Sequence, residues 1–232
     1  MERYRMAEGL VVGRKPLPGG DVILLFVGPQ GAAQAIARKA QRPTGRSGRL
    51  SLFHHLRYQV YQKPGNELPT LTQVELVGRL MGLEAPERFP LACFLAELAY
   101  QTASPEAAPR VWPLLIAGLR GIAKHPRPQV PFLWSAWRVL KAVGLAPNLG
   151  GKGLYLWEGE RCEGKGVYLG AEGMEVLTAV LRRPGAKAVQ VLEAGPLERL
   201  QRALLAHVRY AVGDLRTTTL LAPQEGLRGG QE

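Results

Sequence analysis

One long stretch of this sequence contains several basic residues and no acidic one, and this is the feature that most directly suggests a function, the binding of phosphates. Between Asp21 and Glu67 there is no acidic residue, although the whole chain contains 19 of them. Glycines and a serine separate the arginines in the middle of this stretch, a pattern typical of a loop that can follow a phosphate backbone. The candidate phosphate-binding residues are Arg14, Lys15, Arg38, Lys39, Arg42, Arg46, Arg49 and Arg57.

The charge of the chain is concentrated in the same region. The formal net charge is +11, and residues 1–79 hold 12 Lys and Arg against 5 Asp and Glu. An excess of this size favours a polyanionic partner, although a ribosome-associated or membrane-surface protein could show it too. The alternative for the cationic loop is a solvated segment that only maintains solubility. We favour a nucleic-acid surface, at which Phe53, Tyr58 and Tyr61 could stack on bases. With about six phosphate contacts, log affinity should fall with log salt at a slope near −5.

The residue types needed for catalysis are scarce. The chain has two aspartates, Asp21 and Asp214, so it lacks the clustered carboxylates that two-metal phosphodiester chemistry requires. Neither the nucleophile-elbow motif G-x-S-x-G nor the phosphate-loop motif G-x-x-x-x-G-K-[ST] occurs. Adjacent His54 and His55 should point to opposite faces of a strand. We therefore expect no enzyme activity, no catalytic residue and no cofactor.

A second candidate site lies among the tryptophans of the middle region. Three tryptophans fall at 112, 134 and 137, and core packing is their simpler interpretation. The alternative is an apolar groove bordered by cations, which would accept an acidic, apolar peptide tail. Its candidate residues are Arg120, Lys124, Trp134, Trp137, Arg138 and Lys141.

The N-terminal third has the pattern of a small β-barrel. Apolar runs at 6–13, 21–27, 32–38 and 50–61, with a short one at 67–71, are separated by segments rich in Gly and Pro. Five strands in about 70 residues fit an OB-fold. We expect this DNA-binding domain to cover residues 1–79.

Helical periodicity begins after Leu71. Thr72 and Glu75 have the spacing of a capping box, and Val74, Val77 and Met81 follow at helical intervals. Further helices are predicted up to Val143, at 174–181 and at 197–212. The fold class is therefore α+β, with an all-helical domain at 80–148 and 174–222 after the barrel. Residues 149–173 are predicted to form a Gly-rich β-hairpin-like insertion, and residues 223–232 a disordered tail.

The order of these segments resembles the RecO family of recombination mediators. Tyr4 followed by Glu8-Gly9-Leu10 matches the family's opening, and the basic segments at 37–43 and 46–50 match its continuation. A leucine-threonine-glutamate segment at 71–76, a helix that ends in Gly-x-x-Pro-x-Leu at 144–149, and the segment 207–216 complete the similarity.

The resemblance implies a DNA-repair protein without catalytic activity. Members of the family have an N-terminal OB-fold and a helical domain. They bind single- and double-stranded DNA, anneal complementary strands and help load recombinase onto DNA coated with single-strand-binding protein. The implied partners are RecR and the C-terminal tail of single-strand-binding protein. The alternative is a generic OB-fold protein that binds single-stranded DNA or RNA, with association with the ribosome as one form of it.

One segment departs from the family pattern. Many members hold zinc with two Cys-x-x-Cys pairs, but this chain has Gly150-Gly151-Lys152-Gly153 at that place, and Cys162 is the one cysteine of the insertion. A structural zinc site needs four Cys or His ligands, so we expect no metal there. Aromatic packing by the tyrosines and Trp157 would close the insertion instead. Cys93 falls on an apolar helical stripe and is expected in the core.

The location expected from the sequence is the cytoplasm, in association with the nucleoid. The residues after Met1 lack the order of a signal peptide, basic first and then apolar. Every apolar stretch is shorter than the roughly 18–20 residues that span a bilayer. No membrane partner is therefore expected.

Overall fold

The structure, a computed structural model, describes residues 3–40, 48 and 50–221. Arg42, Arg46, Arg49 and the tail at 223–232 lie outside these residues. The strands are β1 (Tyr4–Pro16), β2 (Val22–Gly28), β3 (Gly31–Ala37), β4 (His54–Tyr61), β5 (Thr70–Arg79), β6 (Tyr155–Trp157), β7 (Glu160–Cys162) and β8 (Val167–Tyr168). The helices are α1 (Phe89–Thr102), α2 (Ala108–Lys124), α3 (Gln129–Ala142), α4 (Gly170–Arg182), α5 (Gly185–Ala194), α6 (Leu197–Ala211) and α7 (Thr218–Leu221).

The first five strands close into a barrel in the order β1-β2-β3-β5-β4, and β4 returns to β1. The first half of β1 pairs with β4 and its second half with β2, so one long strand serves both sides of the barrel. β3 and β5 pair in parallel, whereas the other neighbours are antiparallel. This is the OB-fold arrangement that the sequence predicts, followed by the predicted helical region.

Alternating side chains fill the barrel. In β4, Leu56, Tyr58 and Val60 are buried at 0–4% exposure, and the residues between them face outward. Phe26 of β2 stacks on Tyr58 with ring centroids 4.3 Å apart. Because strand residues alternate between faces, the positions next to this core display their side chains on the outer surface.

The prediction of a helix at Thr72 is wrong, because residues 70–79 form β5. Thr72 Oγ1 donates a hydrogen bond to the Gln59 carbonyl at 3.1 Å, and Glu75 pairs with Arg57 at 3.2 Å. Both contacts run across to β4 rather than along a helix. The strand predicted from Leu50 is also too long, since β4 begins at His54 and the residue before it, Phe53, has a left-handed φ of 61°.

The helical domain packs on the barrel through a shared core. Leu10, Val27 and Phe53 of the barrel region belong to the same buried cluster as the apolar faces of α1–α6. At the β2–β3 turn, Ala32 N–H donates to the carbonyl of Ala103 at 2.9 Å. The turn end of this hairpin therefore contacts the helices, and its other end lies about 20 Å away, the length of a seven-residue strand.

Helix α3 is the central helix of this domain. It runs over Gln129–Ala142, and Gly144 follows with φ 81°, as predicted for a helix that ends in Gly. Gly118 of α2 lies so close to α3 that a Cβ would collide with Ser135. The sequence analysis missed α5, which packs beside α3 with Gly185 against the ring of Trp134.

The insertion forms a small sheet in the order β7-β6-β8. Leu156 and Leu169 are buried at 4% and 0% exposure and anchor it in the helical core. Tyr155 and Tyr168 contact each other with ring centroids 5.2 Å apart, and Lys165 Nζ lies 4.4 Å from the centroid of the Trp157 ring. Tyr168 and Trp157 are 47% and 40% exposed, so these rings pack at the surface of the insertion.

Candidate nucleic-acid interface

The strand registers define a path around the barrel. Tyr4 pairs with Tyr61, Tyr61 with Thr70, and Thr70 with Ile36. Ile36 in turn pairs with Ile23, and Ile23 pairs with Lys15. This path runs around the barrel from Tyr4 at the start of β1 to Lys15 near the end of the same strand.

Four cations lie on this path or within three residues of it. We call them the barrel rim: Lys15, Arg38, Lys39 and Lys63. All four are exposed. Four strand spacings separate Lys15 from Tyr61, the residue two positions before Lys63, so the rim spans about 20 Å and one nucleic-acid segment can contact it. Lys63 was missed as a candidate, although it lies in the acid-free stretch directly after a strand.

Asp21 reduces the positive charge of the rim. Its carboxylate accepts hydrogen bonds from the backbone N–H of Lys39 at 2.8 Å and from the guanidinium of Arg38 at 2.7 Å. These two bonds, the backbone bond first, hold the pKa of Asp21 below its ordinary value, so the carboxylate stays charged at neutral pH. Arg38 nevertheless keeps 58% of its side chain exposed. Because solvent screens an ion pair at the surface, a phosphate can compete for this arginine.

Arg57 is separated from the rim. It lies in the middle of β4 on the outer face, with Glu8 of β1 opposite it on one side and Glu75 of β5 on the other. Its guanidinium pairs with Glu75 at 3.2 Å. His55 lies two residues before Arg57 on the same outer face of β4, and its Nε2 lies 2.8 Å from Glu8 Oε1. This region carries balanced charge, which weakens the assignment of Arg57 as a phosphate contact.

The predicted base-stacking rings are placed differently. Phe53 and Tyr58 are each 4% exposed, so they belong to the core and are unavailable for stacking. Burial raises the pKa of Tyr58 to about 12, in keeping with its interior position. Tyr61 lies on the outer face beside Tyr4, with ring centroids 5.0 Å apart, and Tyr4 is 55% exposed. This tyrosine pair adjoins the barrel rim.

The predicted tail-binding groove on α3 is not open. Trp137 is fully buried beside His207 of α6, with ring centroids 5.5 Å apart, and the ring of Trp134 lies against Gly185 of α5. Arg138 and Lys141 donate hydrogen bonds to the last carbonyls of α4, including that of Leu181. Helices of the chain itself thus occupy the surface that these residues were predicted to offer, while Arg120 and Lys124 remain exposed on α2.

The cysteines and histidines show no ligand geometry. Within residues 3–40, 48 and 50–221, no three His, Cys, Asp or Glu side chains lie together in a way that could hold a metal ion. Burial raises the pKa of the Cys93 thiol to about 11, so it is protonated at neutral pH. Burial also lowers the pKa of His207, whose Nε2 lies 2.7 Å from the carbonyl of Leu145. A neutral imidazole donates a hydrogen bond there, which is a structural role.

Two comparisons with known proteins bear on this interface. Residues 1–80, the barrel, match the family model described as Recombination protein O N terminal. A stretch of 148 residues is 30% identical to the DNA repair protein RecO of Symbiobacterium thermophilum, covering 61% of this chain and 57% of that relative. Together they confirm the resemblance that the sequence predicts. In the described part of the chain, no helix has the length and apolar character that a membrane span requires.

Proposed function

The N-terminal domain of this chain belongs to the RecO family, and from that premise we propose that the protein is a mediator of DNA repair by recombination. In this role it binds single- and double-stranded DNA, anneals complementary strands and helps load recombinase onto DNA coated with single-strand-binding protein. It catalyses no covalent step and acts in the cytoplasm at the nucleoid. RecR and the tail of single-strand-binding protein are its protein partners.

The observation that carries this proposal is the barrel rim on a closed OB barrel. Four exposed cations lie along the register path around the barrel, and the carboxylate of Asp21 binds two of them, Arg38 and Lys39. OB barrels bind nucleic acids with loops at one end and with an adjoining strand face. Tyr4 and Tyr61 supply exposed aromatic surface beside the cations, which is the combination that single-stranded nucleic acid requires.

The rim also offers a physical route to annealing. Two DNA strands repel each other through their phosphates, and cations that contact both strands release counterions and reduce that repulsion. The rim supplies these cations on flexible side chains rather than in a fixed pocket, which suits backbone contacts without sequence preference. The three arginines at 42, 46 and 49 belong to the proposed surface and lie outside the described residues.

The experiment that tests the proposal separates annealing from passive binding. Two complementary oligonucleotides labelled with a fluorescence donor and an acceptor are mixed with the protein over a salt series. A mediator accelerates pairing above the spontaneous rate, and the acceleration declines as salt rises. A protein that only coats single strands binds the oligonucleotides but slows their pairing, which would favour the generic OB-fold binder.

A further inference from the structure

A groove lies where the barrel meets the helical domain. It is a cavity of about 350 Å³ between β1, helix α1 and the turn at residues 216–217. Leu25 and Leu52 contribute apolar surface from the barrel side, and Tyr100 contributes an aromatic ring from α1. A cavity of this size is near the lower limit of small-ligand sites, large enough for one nucleobase.

Three cations line this apolar groove. Arg14 and Lys15 come from β1, and Arg216 comes from the segment after α6. All three are exposed, and none forms an ion pair with a residue that the structure describes. This contrasts with Arg38 and Arg57, which have carboxylate partners. The groove therefore presents three cations against one carboxylate, that of Glu97.

Glu97, the acidic residue that lines the groove, is fully engaged. Its carboxylate accepts hydrogen bonds from the backbone N–H of Arg216 at 3.1 Å and from the N–H and hydroxyl of Thr217 at 2.9 and 2.7 Å. These bonds use both oxygens and fasten the turn to α1. Glu97 thus positions Arg216 at the edge of the groove.

We infer that this groove holds an unpaired base of single-stranded DNA, with its neighbouring phosphates on Arg14, Lys15 and Arg216. The inference rests on the proposed function and extends its binding surface. Lys15 belongs to both the barrel rim and the groove, so a strand bound at the rim continues into the groove without a gap. The bases of duplex DNA are stacked inside the helix, so a duplex can contact the rim with its phosphates but cannot place a base on the apolar surface of the groove.

An acidic peptide is the competing occupant, since it too would combine carboxylates with apolar side chains. The continuity of the groove with the rim favours the nucleic acid. A DNA strand that contacts the rim reaches the groove through Lys15, whereas a peptide site does not require a residue shared with the rim. The two occupants make different predictions for the same variant.

The test compares Arg216→Gln with Arg14→Gln/Arg216→Gln in the full chain. The matched control is Arg209→Gln, an exposed arginine of α6 that pairs with Asp214 outside the groove. Affinities for a fluorescent single strand and for a duplex are measured over a salt series, and thermal unfolding verifies the fold.

Each lost contact should reduce the single-strand salt slope by about 0.7, which corresponds to about 4-fold weaker binding at about 0.15 M salt. The double variant should lose about 15-fold. Duplex affinity should stay unchanged in both variants, because neither arginine belongs to the barrel rim, and the control should match the unmodified protein.

A second readout requires no substitution. Oligonucleotides that carry 4-thiothymidine are photo-crosslinked to the protein, and the attached peptides are identified by mass spectrometry. Crosslinks to the peptides containing Tyr100 or Arg216 support the groove. Crosslinks confined to the barrel rim, with unchanged single-strand affinity in the double variant, overturn it. So does a result in which Arg216→Gln weakens only an acidic peptide probe. If the unmodified protein binds no DNA at all, the proposed function itself has failed.

Discussion

Removal of two adjacent rim cations should change the salt dependence of DNA binding by a calculable amount. The perturbation is Arg38→Gln/Lys39→Gln, which keeps hydrogen-bonding side chains at two exposed positions and removes two charges. If both residues contact phosphates, the slope of log affinity against log salt for duplex DNA should become less negative by about 1.8. With equal binding at about 1 M salt as the reference, the loss is about 30-fold at 0.15 M salt and about 200-fold at 0.05 M. The first value is equivalent to about 2 kcal/mol.

Fluorescence anisotropy with a labelled duplex, measured at four or more salt concentrations, gives the slope directly. The control is Arg57→Gln, which removes one arginine that lies between Glu8 and Glu75 away from the rim. We expect that slope to stay within experimental error of the unmodified protein. An unchanged slope in the rim variant, or an equal change in the Arg57 variant, would refute the placement of the DNA surface.

Three further predictions follow from named contacts. Asp21→Asn removes the carboxylate that engages Arg38 and Lys39, so DNA should bind more tightly in anisotropy titrations, with the largest gain at low salt. Because the pKa of His207 is lower in the folded protein than the ordinary 6.5, the unfolded state binds more protons below that pH. The free energy of unfolding should therefore decrease as pH falls below about 6.5, by up to about 1.4 kcal/mol per pH unit, until the pKa of His207 in the folded state is reached. Urea titrations at several pH values measure this free energy. The variant His207→Phe should show a weaker dependence on pH. Cys93, with its pKa raised to about 11 by burial, should react with iodoacetamide at pH 7.5 much more slowly than after unfolding, and equal rates would show that its environment is open.

The barrel could be predicted from the sequence because its signals are local. Strand alternation, as in Leu56-Arg57-Tyr58-Gln59-Val60, and the turn residues between strands depend on neighbours in the chain. Thr72 and Glu75 have the spacing of a capping box, but residues in a strand can have the same spacing. The structure uses these residues for contacts with Gln59 and Arg57, which come from a different strand. The pairing of residues 70–79 with β4 therefore determines that they form a strand and not a helix.

The candidate site could be predicted only in part, for a similar reason. The absence of acids between Asp21 and Glu67 is a property of the chain, whereas the electrostatics of the folded surface depend on all strands. Glu8 and Glu75 come from β1 and β5 to flank Arg57, and Asp21 comes from the start of β2 to engage Arg38. Likewise, α5 covers Trp134, and this ten-residue helix buries two residues, Ala188 and Leu192, which are too few to identify a helical period in the sequence.

The central claim is that the barrel rim promotes strand pairing by contacting DNA phosphates. The most direct test measures annealing of complementary oligonucleotides coated with single-strand-binding protein, using the unmodified chain and Lys15→Gln/Arg38→Gln/Lys39→Gln/Lys63→Gln. We expect the unmodified protein to accelerate annealing and the folded variant to lose most of that acceleration at about 0.15 M salt, since four phosphate contacts are removed. A variant that retains its thermal stability and anneals strands as fast as the unmodified protein would contradict the claim.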